Sequence, residues 1–245
     1  MSLPQPNGDF EWVQAPWGAA LRCRPLASIA PHYFSTRQAA PEQTLADALG
    51  VGLDDLVRMK QVHRADVFVA HGRSLSKPDA DIAVTDNRSV ALSVKVADCV
   101  PVLLADRHTG AVAAIHAGWK GTAAGAVRVA VESLQSNYGT VTSDIVAAVG
   151  PSIGPCCYEV GPDLAKHFSS HPEAATWFTR DAKPHLDLWR ATRDQLARAR
   201  VPPHQIHVCE LCTFDHPALF HSYRREGANA GRLVAAIRSA PDRTP

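Results

Sequence analysis

Residues 97–122 read ADCVPVLLADRHTGAVAAIHAGWKGT, and this stretch decides the fold that we expect. Three short apolar runs lie within it or just before it, at 90–96, 100–105 and 111–115. The first run alternates apolar with small or polar residues at a period of two, which is typical of a half-buried strand. We therefore predict three adjacent strands whose ends carry Cys99 and His116 into one cleft, where loops leave room for a substrate.

The composition is that of an ordinary globular protein. The chain has 245 residues, 46% of them hydrophobic, and a formal net charge of +1. It can bury a large core, and we expect one domain over 1–245, with a monomer favoured.

Because no run of Lys and Arg stands out, we expect the protein to bind neither nucleic acid nor an anionic membrane. No apolar stretch approaches the ~20 residues that span a bilayer, and residues 1–12 do not resemble a secretory signal. We predict a cytoplasmic protein.

The rest of the pattern predicts helices and strands on both sides of the central stretch. Residues 1–20 are rich in Pro, Trp and Gly and are predicted to be irregular or edge structure. Thr122 is a predicted helix N-cap. The predicted helices are 42–49, 123–135, 163–168, 186–200 and 231–238. The further predicted strands are 82–85, 145–149 and 206–209.

The cysteines show no disulfide framework. The six thiols lie at positions 23, 99, 156, 157, 209 and 212, without regular spacing, so at least one of them is a candidate for chemistry. The C-x-x-C at 209–212 has no second pair at zinc-ribbon spacing and no thioredoxin-like context. We interpret this C-x-x-C as structural.

Cys99 and His116 support two chemical interpretations. In the first, Cys99 is a nucleophile and His116 is its base. In the second, both are metal ligands and His63 is the third. A Cys/His/His set with an open fourth position matches catalytic zinc, whose bound water has a pKa of about 7, and the same donors also suit Cu²⁺. The spacing alone leaves both interpretations open, as well as an ordinary structural role for all three residues.

Four further residues are candidates near this chemistry. Asp98 is a hydrogen-bond acceptor beside the thiolate, a proton carrier, or a turn-capping residue. Arg37 follows two hydroxyl residues, which suits an anion pocket. Lys120 lies in a turn at the expected positive end of a helix, and Ser152 lies in a loop whose glycines and prolines restrict its backbone. We predict that Arg37, Lys120 and Ser152 bind substrate.

Several motifs resemble those of the bacterial multicopper polyphenol oxidase-like family, which is also called the laccase-domain (YfiH-type) or peptidoglycan editing factor family. The motifs are QVH at 61–63, ADIAVT at 80–85, ADCVPVL at 97–103, HAGWKGT at 116–122, GPSI at 150–153, YEVG at 158–161, CT at 212–213, SYRR at 222–225 and GR at 231–232. They cover nearly the whole chain, and the combination of QVH, ADCxP and HAGWxGT is highly specific.

The resemblance implies an α+β fold, a single-domain mixed β-sandwich flanked by helices. It also implies a metal, zinc or alternatively copper, held by His63, Cys99 and His116. The implied chemistry is phosphorolysis of adenosine, inosine, guanosine and methylthioadenosine, and deamination of adenosine, so a purine nucleoside and phosphate are the expected partners. Cys99, His116 and Asp98 are then the catalytic residues, and Arg37, which matches the arginine of the family's STR motif, is the phosphate contact.

One segment departs from the family pattern. After Arg37 the family usually continues with a Gly-Gly-Val-Ser segment and a longer loop, whereas residues 38–42 here lead straight to a helix.

Laccase activity is not expected, because reduction of oxygen to water needs several copper ions and paired His-x-His segments, and none of the 12 histidines forms such a pair. The alternatives to a nucleoside enzyme are a metal-free hydrolase or amidase that uses Cys99 and His116, and a non-catalytic cell-wall factor.

Overall fold

Two mixed β-sheets form the framework of the protein. The computed structural model describes residues 3–38, 40–74, 76–179 and 182–239, so Ala39 of the shortened segment lies outside the described residues. The strands of the described residues are β1 (Phe10–Ala15), β2 (Gly18–Cys23), β3 (His32–Ser35), β4 (Leu56–Val57), β5 (Val67–Val69), β6 (Ile82–Thr85), β7 (Ala91–Val96), β8 (Val100–Asp106), β9 (Val112–Ala117), β10 (Ile145–Val149), β11 (Ile206–Val208) and β12 (Leu233–Arg238). They form two six-stranded sheets, in the orders β1-β2-β3-β12-β7-β4 and β11-β10-β8-β9-β6-β5.

Helices connect the strands and cover the sheets. The α-helices are α1 (Arg24–Ala27), α2 (Glu42–Ala48), α3 (Trp119–Ala123), α4 (Ala126–Tyr138), α5 (Leu188–Arg198) and α6 (Tyr223–Glu226). Short 3₁₀ helices lie at Leu53–Asp55, Thr142–Asp144, Pro162–Phe168, Ala174–Thr176, Pro203–Gln205 and Gly227–Asn229. Among the described residues, none of the helices has both the length and the apolar character that crossing a bilayer requires.

The sheets pack face to face, and the side chains of β9 show how this layering arises. Val112 and Ala114 lie in the core between the sheets, whereas Ala113 and Ile115 lie in a second core with residues of α4 and α5. Both faces of β9 are therefore buried, which is why its residues before His116 are continuously apolar. With α2 packed over the outer face of the other sheet, the molecule is a sandwich with helices on both outer faces, and the predicted α+β class is confirmed.

The prediction of three adjacent strands is wrong in one respect. β8 and β9 pair antiparallel, but β7 belongs to the other sheet, where it lies between β12 and β4. Residues 97–99 therefore cross from one sheet to the other. The crossing places Cys99 at an edge of the sandwich, beside the end of β9.

The predicted helix at 231–238 is also wrong, because Leu233–Arg238 is strand β12. Leu233, Ala235 and Ile237 point into the core between the sheets, but five apolar residues in a row conceal this period of two. Alanine favours helix locally, and pairing with β3 on one side and β7 on the other overrides that preference.

Other predicted boundaries change near the site. The helix predicted at 123–135 is two helices, α3 and α4, separated at Gly125, whose φ of +74° breaks the first helix. Thr122 is therefore not an N-cap: it lies inside α3, and its hydroxyl donates to the carbonyl of Gly118 at 3.0 Å. Residues 1–20, predicted to be irregular or edge structure, contain edge strand β1 and the start of β2.

Candidate metal centre

Three side chains from separate parts of the chain meet at one edge of the sandwich. His63 comes from the loop before β5, Cys99 from the crossing between the sheets, and His116 from β9. One ligand atom from each lies within 4.8 Å of the others. The two imidazole rings meet edge to face, with an angle of 84° between their planes. The structure thus brings together all three residues that the sequence predicts as ligands.

Asp81, which the sequence analysis did not single out, lies fully buried behind the two histidines. Its Oδ1 is 2.7 Å from Nδ1 of His116 and accepts the backbone N–H of His63 at 3.0 Å. Its Oδ2 accepts the backbone N–H groups of Val62 and Arg64. These hydrogen bonds to Asp81 hold the backbone of His63 at a φ of +60°. This conformation costs energy for a residue other than glycine. One carboxylate therefore positions two of the three candidate ligands.

A second buried carboxylate, Asp98, anchors the turn that carries Cys99. Its backbone φ is +86°. Oδ1 accepts the hydroxyl of Thr213 at 2.6 Å, and Oδ2 accepts the hydroxyl of Ser222 at 3.0 Å and the backbone N–H of Arg224 at 2.6 Å. Because both oxygens are engaged, these contacts favour the acceptor role predicted for Asp98 over the role of proton carrier.

The electrostatics of the three side chains are coupled. Burial alone would raise the pKa of Cys99, but interactions with His116 and His63 outweigh it and lower that pKa to about 7. Burial alone would lower the pKa of His116, but the contacts with Asp81 and Cys99 raise that pKa to about 9. A thiolate beside an imidazolium is therefore favoured near neutral pH when no metal is bound. Both interpretations, metal ligand and nucleophile, use this thiolate.

Gly118 is required beside the cluster for reasons of space. A Cβ atom at this position would lie 2.7 Å from Sγ of Cys99 and 3.6 Å from Cδ2 of His63. Its φ of −76° is open to any residue, so the close approach, and not the backbone conformation, calls for glycine. The HAGWKGT motif thus supplies both His116 and the gap into which the Cys99 sulfur fits.

The donor set fits a zinc ion. One thiolate and two imidazoles are ligands that zinc prefers, with Zn–S and Zn–N bonds of about 2.3 and 2.0 Å. Ligand atoms already within 4.8 Å of one another need to close by only about 1 Å to reach that geometry. Asp81 bound to Nδ1 of His116 matches the carboxylate–histidine pairs that orient metal-bound imidazoles.

A cavity of about 730 Å³ opens from the cluster, a volume within the range of about 300–1,000 Å³ found for small-molecule sites. His63, Cys99, His116 and Asp98 all line it. Aromatic and cationic side chains form much of the remaining wall. They are Trp119, Tyr158, Tyr223, Lys95, Arg224 and Arg232.

The three residues predicted to bind substrate do not line this cavity. Arg37 turns instead to Glu226, with its Nη2 at 3.3 Å from the carboxylate. Ser152 has no exposed surface, so a substrate cannot reach its hydroxyl. Lys120 is exposed, and its Nζ lies 5.6 Å from the ring centre of Trp119. The structure offers Lys95, Arg224 and Arg232 as the cations of the cavity in their place.

Comparisons with known proteins agree with one another. Residues 36–240 match the family described as multi-copper polyphenol oxidoreductase laccase. Over 161 residues the chain is 38% identical to a purine nucleoside phosphorylase of Bacteroides thetaiotaomicron, an alignment that covers 64% of this chain. The chain spans only 60% of that relative's length. Over 207 residues it is 36% identical to adenosine deaminase RL5 of an unknown prokaryotic organism, with 79% of each chain covered.

The fold is also found among solved structures. The hypothetical protein YfiH of Bacillus licheniformis superposes with a TM-score of 0.86 at 27% sequence identity. The match covers 95% of this chain and 100% of that one. The similarity therefore extends over nearly the whole fold.

Proposed function

The chain belongs to the multi-copper polyphenol oxidoreductase laccase family, as its motifs predict, and we propose that it is a metal-dependent enzyme that acts on purine nucleosides. The observation that carries this proposal is the convergence of His63, Cys99 and His116 at one end of a large cavity. The relatives named purine nucleoside phosphorylase and adenosine deaminase support the substrate class. The proposed reactions are phosphorolysis of adenosine, inosine, guanosine and methylthioadenosine, and deamination of adenosine.

The proposed metal is zinc, with copper as the alternative. When bound by the three ligands, the ion supplies Lewis acidity for attack of water at C6 of the purine. Asp81 accepts the Nδ1 proton of His116, which directs Nε2 of that ring toward the cluster. Asp98 holds the turn before Cys99, so the sulfur keeps its place beside the imidazoles. The cluster has ligands for one ion, and oxygen reduction by several coppers is not proposed.

The cavity wall suits the other parts of the substrates. Trp119, Tyr158 and Tyr223 offer flat apolar surfaces against which a purine ring can pack. Arg224 and Arg232 offer cationic donors for phosphate. In phosphorolysis a phosphate oxygen bonds to C1′ of the ribose while the bond from C1′ to the purine nitrogen breaks, and the departing base takes up a proton. Placing phosphate beside C1′ is therefore the task of the cationic part of the wall.

Metal analysis and product analysis on one preparation test this proposal. Protein purified without added metal is expected to contain zinc, to release adenine from adenosine only when phosphate is present, and to form inosine without phosphate. Cys99→Ala should lose the one equivalent of metal held by this cluster, and both products with it. Cys23→Ala is the matched control, because Cys23 is a fully buried thiol outside the cluster, and it should keep them. Neither metal nor either product in the wild-type protein would overturn the proposal.

A metal-free hydrolase or amidase is the second candidate, and one observation favours it. The structure places Cys99 beside His116, and His116 beside Asp81. Thiol hydrolases arrange their nucleophile, base and orienting carboxylate in the same way. In that case a chelator leaves activity intact, and alkylation of Cys99 abolishes it. Loss of both nucleoside reactions on chelation, and their return when zinc is restored, decides for the metal enzyme.

A further inference from the structure

A second group of metal-ligating side chains lies beside the cavity. It consists of three thiols and one carboxylate, from Cys156, Cys157, Cys212 and Asp215, with one ligand atom from each within 4.8 Å of the others. Oδ2 of Asp215 is 3.2 Å from Sγ of Cys156, and its Oδ1 is 3.0 Å from Sγ of Cys157. These four residues are distinct from the first cluster and have no part in the proposed nucleoside chemistry.

The fold brings this group together through two neighbouring parallel strands. β10 and β11 pair in parallel, so the loops that follow them leave the sheet at the same edge. The first loop carries Cys156 and Cys157, and the second carries Cys212 and Asp215. A backbone bridge between Ser152 and Cys212 keeps the loops side by side. The juxtaposition is therefore fixed by backbone pairing and does not depend on long flexible side chains.

We propose that Cys156, Cys157, Cys212 and Asp215 form a second metal site that binds one zinc ion through three thiolates and a carboxylate oxygen. Tetrahedral zinc with Zn–S bonds of about 2.3 Å places its sulfur ligands about 3.8 Å apart. Atoms that already lie within 4.8 Å of one another reach this geometry by closing about 1 Å. Four ligands fill the coordination shell, so this site is structural, in contrast to the three-ligand cluster.

In the metal-free protein the thiols of Cys156 and Cys157 donate to the carboxylate of Asp215. Burial and this carboxylate raise the pKa of Cys157 to about 12 and also raise the pKa of Cys156, so zinc must displace their protons when it binds. The backbone N–H of Gly154 donates to Sγ of Cys212 at 3.3 Å, and such N–H to sulfur bonds stabilise the charged form that binds metal. Arg225 holds the second loop in place, because its Nη1 donates to the carbonyls of Thr213 and Phe214, directly before Asp215.

The position of the site indicates what the ion does. The first loop carries Ile153 and Tyr158, which line the cavity. The second carries Thr213, whose hydroxyl donates to Asp98 beside Cys99. Both loops therefore contact Asp98, since the backbone N–H of Ile153 also donates to its carbonyl at 3.0 Å. An ion between Cys157 and Cys212 ties these loops together and stabilises the cavity wall without touching substrate.

Metal counting in variants tests the proposal independently of any nucleoside activity. The protein is reduced with a phosphine, loaded with excess zinc and passed through gel filtration under anaerobic conditions. Wild type is expected to retain about two equivalents of zinc, and a Cys99→Ala/His116→Ala double variant about one. Cys157→Ser and Cys212→Ser should also each retain about one. Cys209→Ala, which removes the other thiol of the C-x-x-C from outside the group, is the matched control and should retain about two.

Cobalt gives a second readout that does not require a folded double variant. Co²⁺ added to wild type should produce thiolate-to-cobalt charge-transfer absorption. Because three of the four proposed thiolate bonds belong to the second site, most of this intensity should be lost in Cys157→Ser. Cys209→Ala should retain it. Wild-type protein that retains only one equivalent of either metal overturns the proposal. So does mass spectrometry that finds a disulfide among Cys156, Cys157 and Cys212 after full reduction and reisolation.

Discussion

Oδ1 of Asp81 lies 2.7 Å from Nδ1 of His116, and both side chains are almost completely buried. The same carboxylate accepts three consecutive backbone N–H groups from residues 62–64. Through these contacts one side chain fixes the ring of His116 and the backbone of His63. The geometry of the candidate metal centre therefore depends on a residue that does not contact the metal.

Asp81→Asn tests this dependence. The amide has one oxygen in place of two, so its NH₂ group faces N–H donors, and the histidines lose their common support. We expect the zinc affinity of the three-ligand cluster to fall about 10- to 100-fold, the usual scale for loss of a group that orients a metal ligand. Competition with a chromogenic chelator measures this change. Asp79→Asn is the control, because Asp79 is an exposed carboxylate that pairs with Lys60, and equal affinities for the two variants would contradict the prediction.

Gly118→Ala is expected to disturb the cluster through steric contact alone. The new Cβ atom would lie 2.7 Å from Sγ of Cys99, so the sulfur must move away from the two imidazoles. We expect about tenfold or greater loss of zinc affinity, measured by isothermal titration. At Gly161 an added Cβ meets nothing within 4 Å, so Gly161→Ala should bind zinc as wild type does. Unchanged affinity in Gly118→Ala would show that the sulfur does not bind the metal from its observed position.

Zinc affinity of the three-ligand cluster should rise with pH. In the metal-free protein the pKa of Cys99 is about 7 and that of His116 is about 9. Below pH 7 zinc must displace a proton from each, and between pH 7 and 9 it must displace one from His116. The association constant should therefore rise about 100-fold per pH unit below pH 7 and about tenfold per unit from there to pH 9. Titrations of Cys157→Ser in metal buffers measure this, and a flat profile between pH 7 and 9 would refute it.

Arg232→Ala should affect phosphorolysis and spare deamination. Arg232 lines the cavity, and loss of a charge-assisted hydrogen bond of about 1.5–3 kcal/mol raises the KM for phosphate about 10- to 100-fold. Deamination uses no phosphate and should keep its rate, which makes it an internal control. Lys120→Ala removes a cation from outside the cavity and should leave both reactions unchanged. A larger effect of Lys120→Ala than of Arg232→Ala would reverse our assignment of the phosphate contact.

The sequence was sufficient to predict that His63, Cys99 and His116 come together, because each of them lies in a recognisable motif. Cys99 and His116 follow apolar runs that end in glycine-bearing turns, and His63 lies in a motif of its own. Asp81 could not be recognised in the same way, since its role appears only when β6 passes beneath residues 62–64. Its place in the ADIAVT motif was the only available signal.

Long-range contacts explain why the helix predicted at 231–238 is a strand and why Arg37 lies away from the cavity. Arg37 has the local pattern of an anion-binding residue, but it pairs with Glu226, 189 positions away. β12 has the local pattern of a helix, but it lies between two strands from the first half of the chain. In both cases a partner that is remote in sequence decides the outcome, and neither periodicity nor residue type records that partner.

β12 also determines when a newly made molecule can fold. Ala235 pairs with Phe34, about 200 positions earlier, so β3 and β7 keep unpaired edges while the nascent chain is still leaving the ribosome. Such edges invite aggregation, and closing so long a loop is slow. Translation of residues 233–238 therefore sets the earliest moment at which this protein can become active in a cell.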